Sequence, residues 1–154
     1  MDLSKVVVFQ TGNEQYGVPI QSVISIEKME TATPIPNMPE YMVGVVKVRG
    51  DLIPVFDVGL ILYNKHVVET EKTRMVVVNT ETLSFGLVVD DAKEIVDVPE
   101  SDIKQVNMIA YQKTSYFVGV ANLQNRLVTL IDPNELCESL DGIKHIKANI
   151  HSHQ

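Results

Sequence analysis

The chain has 154 residues, 45% of them apolar, enough to build a packed core in one domain or in two very small ones. Its formal charge of −7 excludes a sequence-independent nucleic-acid binder, which needs a surplus of Lys and Arg facing phosphate, and disfavours attachment to an anionic membrane. The single cysteine, Cys137, has no partner for an internal disulfide, no charged-then-apolar leader opens the chain, and no apolar run approaches the ~18 residues of a membrane span. Val, Ile and Thr fill 46 positions, and β-branched side chains fit pleated surfaces better than helices. A cytoplasmic, β-rich protein without direct membrane insertion is the expected class.

In chain order, Val6–Gln10 and Glu14–Ile20 flank Gly12-Asn13, a pair suited to a tight hairpin. Ser22–Lys28 reads as a third strand, with Ile24 and Ile26 on the face opposite Val23. Glu30–Pro39 holds three prolines and is a loop that crosses the lobe. Met42–Arg49 and Leu52–Asp57 form a second hairpin around Gly50, and Asp57 opens a short turn or helix to Tyr63. Pro54 lacks an amide donor and is expected where no ladder bond is needed.

The chain then repeats itself. Val6-Val7-Val8-Phe9 followed by Tyr16-Gly17-Val18 recurs at an offset of 69 as Met75-Val76-Val77-Val78 followed by Phe85-Gly86-Leu87. The same offset lays Val23 on Ala92 and Ile26 on Ile95. At an offset of 75, Val43-Gly44-Val45 matches Val118-Gly119-Val120, and Leu52–Asp57 matches Leu127–Asp132. An insertion around Lys104–Ser115 absorbs the difference. Gly44, Gly50, Asp57, Gly86, Gly119 and Asp132 are therefore the expected fold-determining positions, with Asn125 standing where the first copy has Gly50. The runs Val6–Phe9 and Met75–Val78 do not alternate, which predicts strands covered on both faces. Asp132-Pro133-Asn134-Glu135 is a helix start, and Leu136, Leu140, Ile143 and Ile150 predict a closing helix with a frayed His-containing end. The expected fold is all-β with few short helices: a single domain, 1–154, of two five-stranded β-barrel lobes at about 5–63 and 72–138, with the helix and tail at 139–154.

Chemistry is hard to assemble from this sequence. There is no Gly-x-Gly pair to cradle a phosphate, and spacing assigns no base to Cys137. His151-Ser152-His153 reads as a tail before it reads as a metal site, and Asp90-Asp91 as a solvated turn. Arg49-Gly50-Asp51 reads as a hairpin turn and not as an adhesion tripeptide. No catalytic residue, cofactor or metal is expected, and binding is the favoured class of function.

Phe9-x6-Tyr16-Gly17-Val18-x-Ile20, then Ile35-Pro36-Asn37-x-Pro39, then Val43-Gly44-Val45, Val48-Arg49-Gly50, Ile53-Pro54-Val55 and Asp57, closely resembles the CheW chemotaxis coupling proteins. The resemblance continues through Phe85–Asp90 and Val118-Gly119-Val120 to Asp132. It implies two SH3-like barrels side by side and a non-catalytic adaptor that couples the histidine kinase CheA, through its regulatory domain, to the helical hairpin at the cytoplasmic tip of chemoreceptors. Carried over residue by residue, Val23 and Ala92 match receptor-groove positions and Arg49 matches a characteristic arginine. That arginine either ties backbone carbonyls across the lobe junction or touches the receptor. Ser25 stands where many members have an acidic residue, and Ala92 is smaller than the usual Val, departures that bear on receptor preference. The kinase contact is expected on the first lobe around Ile20, Ile24, Ile35 and Pro36. Two alternatives remain: a small-ligand-binding or enzymatic β-barrel, and a CheV-type module, disfavoured because no receiver domain follows in these residues.

Overall fold

The computed structural model describes residues 1–104 and 114–153, with side chains through Ile150. Residues 105–113 of the expected insertion lie outside the described residues. The first half forms β1 (Lys5–Thr11), β2 (Glu14–Pro19), β3 (Val23–Lys28), β4 (Met42–Val48), β5 (Asp51–Asp57) and helix α1 (Val58–Tyr63). The second forms β6 (Arg74–Asn79), β7 (Ser84–Val89), β8 (Asp91–Asp97), the two-residue β9 (Ile103–Lys104), β10 (Phe117–Leu123), β11 (Arg126–Ile131), α2 (Pro133–Ser139) and α3 (Ile143–His153).

The strands assemble into two sheets, in the orders β8-β1-β2-β11-β10-β9 and β3-β6-β7-β5-β4. Exchanging each strand for its repeat counterpart turns β8-β1-β2-β11-β10 into β3-β6-β7-β5-β4, leaving over only the two-residue β9, so the duplication read from the sequence is a structural one. Its register repeats residue for residue. Val23 pairs with Val78 and Ser25 with Val77 around a bulge, and Ala92 pairs with Phe9 and Glu94 with Val8 around another. Gly44 pairs with Val55 and Gly119 with Leu130, again each beside a bulge. A Cβ on Gly44 would stand 2.5 Å from the carbonyl oxygen of Thr33, which explains a glycine there.

Each sheet draws strands from both halves. The β1–β2 hairpin of the first half is held by β8 and β11 of the second, and the β6–β7 hairpin by β3 and β5 of the first. The spans 5–63 and 72–138 thus delimit the sequence repeats, whereas the two lobes are interleaved. The reason is geometric: each hairpin is joined to its own copy's third strand by a short turn and to its neighbours by one antiparallel and one parallel ladder, and the exchange satisfies both edges of both hairpins.

The unbroken apolar runs follow from this arrangement. Val6 and Val8 face one lobe interior with Val128 and Leu130, while Val7 and Phe9 face a central core shared by both sheets. Met75 and Val77 likewise enter the other lobe with Val46 and Val55, while Val76 and Val78 enter the central core. Outer-strand residues such as Val96 and Ile103 meet in one cluster with Val6, so each sheet curls about its own interior. The ladders stay open between the outer strands, and this curled form is the SH3-like lobe. Phe9, Phe56 and Phe85 are wholly buried in the central core, each contributing about 1.5–3 kcal/mol by burial.

Three local expectations are corrected. The third strand begins at Val23, because Ile20–Ser22 form a 3₁₀ turn after β2. The closing helix is two helices, since Gly142 takes φ +82 and breaks the run after Leu140. In the β4–β5 turn Arg49 itself is left-handed at φ 52, alongside Gly50 at φ 88, and in the second copy Gln124 holds φ 52. Pro54 lies inside β5, but the parallel ladder to β7 begins one residue later at Val55.

Candidate interaction surface

The receptor-groove residues named from sequence occupy equivalent places. Val23 opens β3, an outer strand of one sheet, and Ala92 lies in β8, an outer strand of the other. Both are half-buried, and both sit beside a bulge next to a central-core residue, Val78 or Phe9. β8 packs on β6, the ladder neighbour of β3, so the two outer strands border the same part of the central core. Paired residues point to one face, which places Ile26 beside Val76 and Ile95 beside Val7 on this same border. They are 43% and 56% exposed, unusual for isoleucine in a strand. Ile26 and Ile95 were legible as a repeat pair but not as surface residues, because an alternating pattern does not tell a core face from an uncovered one.

Ile24 is the extra residue of the β3 bulge and is 38% exposed. Ile20 and Ile35 are half-buried against the central core, and Pro36 is exposed in the proline loop. The expected kinase contact thus divides into two residues that pack inward and two that stand out. Ser25 points to the same face as Val77, toward the lobe interior, where its hydroxyl is buried without a hydrogen-bond partner.

Arg49 is exposed, and among the described residues its guanidinium makes no hydrogen bond or ion pair. Among the described residues the carbonyl tie is therefore not formed, and the side chain stands in solvent. Asp57 and Asp132 each hold backbone amides at the start of a helix. Asp57 is buried and caps α1 through Leu60 N at 3.1 Å, while also accepting Val67 N and facing His66 Nδ1 at 3.3 Å. Asp132 caps α2 through Asn134 N at 3.0 Å. Gly50 sits in its turn, and Gly86 pairs with Val55 in the parallel ladder.

Among the described residues the titratable groups elsewhere are engaged locally or held apart. Among the described residues no group of three His, Cys, Asp or Glu could hold a metal ion. Cys137 is buried, and burial, the largest effect, pushes its thiol pKa up and away from a reactive thiolate. Asp90 accepts Gly12 N at 2.7 Å and Asp91 faces Lys93 at 3.2 Å, so the paired carboxylates are locally engaged. A cavity of about 470 Å³ lies between Tyr41 and Tyr116, and the hydroxyl of Ser139 in its lining donates to the Leu136 carbonyl at 2.7 Å. Burial pushes the Tyr41 phenol up to about 12, and its hydroxyl donates to the Asp141 carbonyl at 2.7 Å.

The family model of the CheW-like domain matches residues 5–141. The chain is 28% identical to the chemotaxis protein CheW of Bacillus subtilis over 87% of its own length and 86% of that protein's. It is 30% identical to the protein FrzA of Myxococcus xanthus over 85% of the chain and 83% of that protein. The crystal structure of the scaffolding protein TtCheW from Thermoanaerobacter tengcongensis superposes with a TM-score of 0.80 at 27% identity, covering 90% of each chain.

Proposed function

Since the chain belongs to the CheW-like domain family, we propose that it is a non-catalytic cytoplasmic adaptor of chemotaxis signalling, coupling the histidine kinase CheA to chemoreceptor tips. The observation that carries the reading is the border between β3 and β8, where two repeat-related pairs, Val23 with Ile26 and Ala92 with Ile95, flank the central core. A helix laid on such a border is held by apolar residues at i, i+3, i+4 and i+7, and a receptor hairpin presents that pattern. We place the kinase contact on the first repeat, where Ile24 and Pro36 are exposed and Ile20 and Ile35 are half-buried against the central core.

Co-sedimentation with receptor-containing membranes and CheA tests the reading. An adaptor enters the pellet only when receptor or kinase is present and raises or lowers kinase autophosphorylation in the assembly. A protein that stays in the supernatant and leaves autophosphorylation unchanged is the small-ligand β-barrel instead.

A further inference from the structure

The two repeat-related stripes of the β3–β8 border match in their apolar residues and differ in charge. On β3 the stripe runs Val23, Ile26, Lys28, paired with Val78, Val76 and Arg74 of β6. On β8 it runs Ala92, Ile95, Asp97, paired with Phe9, Val7 and Lys5 of β1. Alternate residues of β6, and of β1, share a face, so each charged pair closes its own apolar stripe.

In the second stripe the closing pair is complementary, with Lys5 Nζ 3.5 Å from Asp97 Oδ1. In the first it is two cations directly opposite each other, an arrangement that costs stability in a ladder. Arg74 is half-buried, and its Nη1 is fixed by the carbonyls of Glu71 and Thr73 at 2.8 and 2.9 Å, while Nε and Nη2 have no partner among the described residues. Lys28 is exposed, and Glu27 lies beside Met75 on the opposite face. The ion pairs of the described residues, Lys5–Asp97, His66–Asp57, Lys93–Asp91 and Arg126–Glu94, include neither cation. Two adjacent cations without a counter-ion stand out in a chain of charge −7.

We propose that Lys28 and Arg74 clamp a carboxylate of the docked partner helix, and that this clamp decides which of the two stripes the helix follows. The inference rests on the docking border proposed above. Apolar contact alone discriminates poorly, because Val23 with Ile26 and Ala92 with Ile95 are repeat equivalents. The unpaired cations break the tie. Alternate residues of β6 are about 6.7 Å apart, close to the ~6 Å rise of four helical residues. A helix along β3 therefore sets apolar residues at i and i+4 on Val23 and Ile26 and presents Glu or Asp at i+8 to Lys28 and Arg74. The unused Nε and Nη2 donors of Arg74 suit the two oxygens of one carboxylate, and Lys28 adds a point charge.

The test is co-sedimentation of the full chain with receptor-containing membranes. Lys28→Glu and Arg74→Gln should each weaken pelleting about two- to tenfold, whereas Asp97→Asn on the twin stripe should pellet as the parent does. Lys28→Glu should also melt no lower than the parent, because the opposed like charges are relieved. Reversing the acidic residues of the receptor tip helix to lysine, one at a time, should restore Lys28→Glu at a single position. Val23→Lys separates this proposal from the border itself. If the parent pellets and Val23→Lys does not, the border stands. The clamp alone is then overturned if Lys28→Glu binds as the parent does, if its loss comes with a lowered midpoint, if no reversal restores it, or if Asp97→Asn weakens binding equally. A parent that pellets no better than Val23→Lys overturns the clamp together with the border.

Discussion

Val55 lies opposite Gly86 across a parallel ladder that joins the two halves of the sequence, and Leu130 lies opposite Gly17 in the equivalent place. Neither half completes a sheet without the other. Residues 1–70 alone would leave the β1–β2 hairpin without β8 or β11, and β3 and β5 without β6 and β7. Unpaired inner edges and a halved central core leave a unit of this size below the threshold for independent folding. Each fragment, 1–70 and 71–154, should show an unfolded circular dichroism spectrum by itself, and an equimolar mixture should recover the native one. A cooperative melt from either fragment alone would contradict the interleaved arrangement.

How far the sequence foretold this depends on what kind of information each feature needs. The repeat, the doubly covered strands and the helix caps are local patterns, and Val6–Phe9, Gly44, Asp57 and Asp132 all occupy their expected places. The exchange of hairpins was not legible, because a repeat pairs equally well with itself or with its twin, and the parallel ladders that decide between the two leave no local signature. The site was legible in part. Val23 and Ala92 came from motif likeness and the repeat, whereas the exposure of Ile26 and Ile95 depends on which neighbour covers each face.

Val23→Lys should remove receptor docking while leaving the fold intact. The residue is half-buried at the mouth of β3, so the long lysine stem can lie along the border with its charge in solvent. The charge then opposes any apolar helix laid there. Receptor co-sedimentation should be lost with a thermal midpoint within a few degrees of the parent, and undiminished co-sedimentation would move the docking site away from the β3–β8 border.

Ile24→Asp separates the kinase contact from the receptor contact. At 38% exposure the new carboxylate keeps its water in the free protein and loses it only when a partner covers β3. Burying that unpaired charge in an interface costs several kcal/mol, enough to weaken binding by two or more orders of magnitude. Calorimetry with the CheA regulatory domain should show that loss. Parent-like affinity in a folded variant would place the kinase elsewhere on the molecule.

Arg49→Ala and Asp57→Ala test opposite roles for two motif residues at either end of β5. Arg49 is exposed and unbonded, so its removal should shift stability by no more than about 0.5 kcal/mol. At roughly 2–4 °C per kcal/mol for a chain of this size, the midpoint moves by about 1–2 °C. Asp57 is buried and holds the amides of Leu60 and Val67, so its truncation strands donors on both sides of α1 at about 1–3 kcal/mol and lowers the midpoint by several degrees. Asp132→Ala, which loses a cap but strands nothing beyond α2, should fall between them at about 1 kcal/mol. If Arg49→Ala keeps its midpoint and loses receptor coupling, the arginine acts on the partner. A drop as large as that of Asp57→Ala would instead restore a structural role for the guanidinium and remove it from the docking surface.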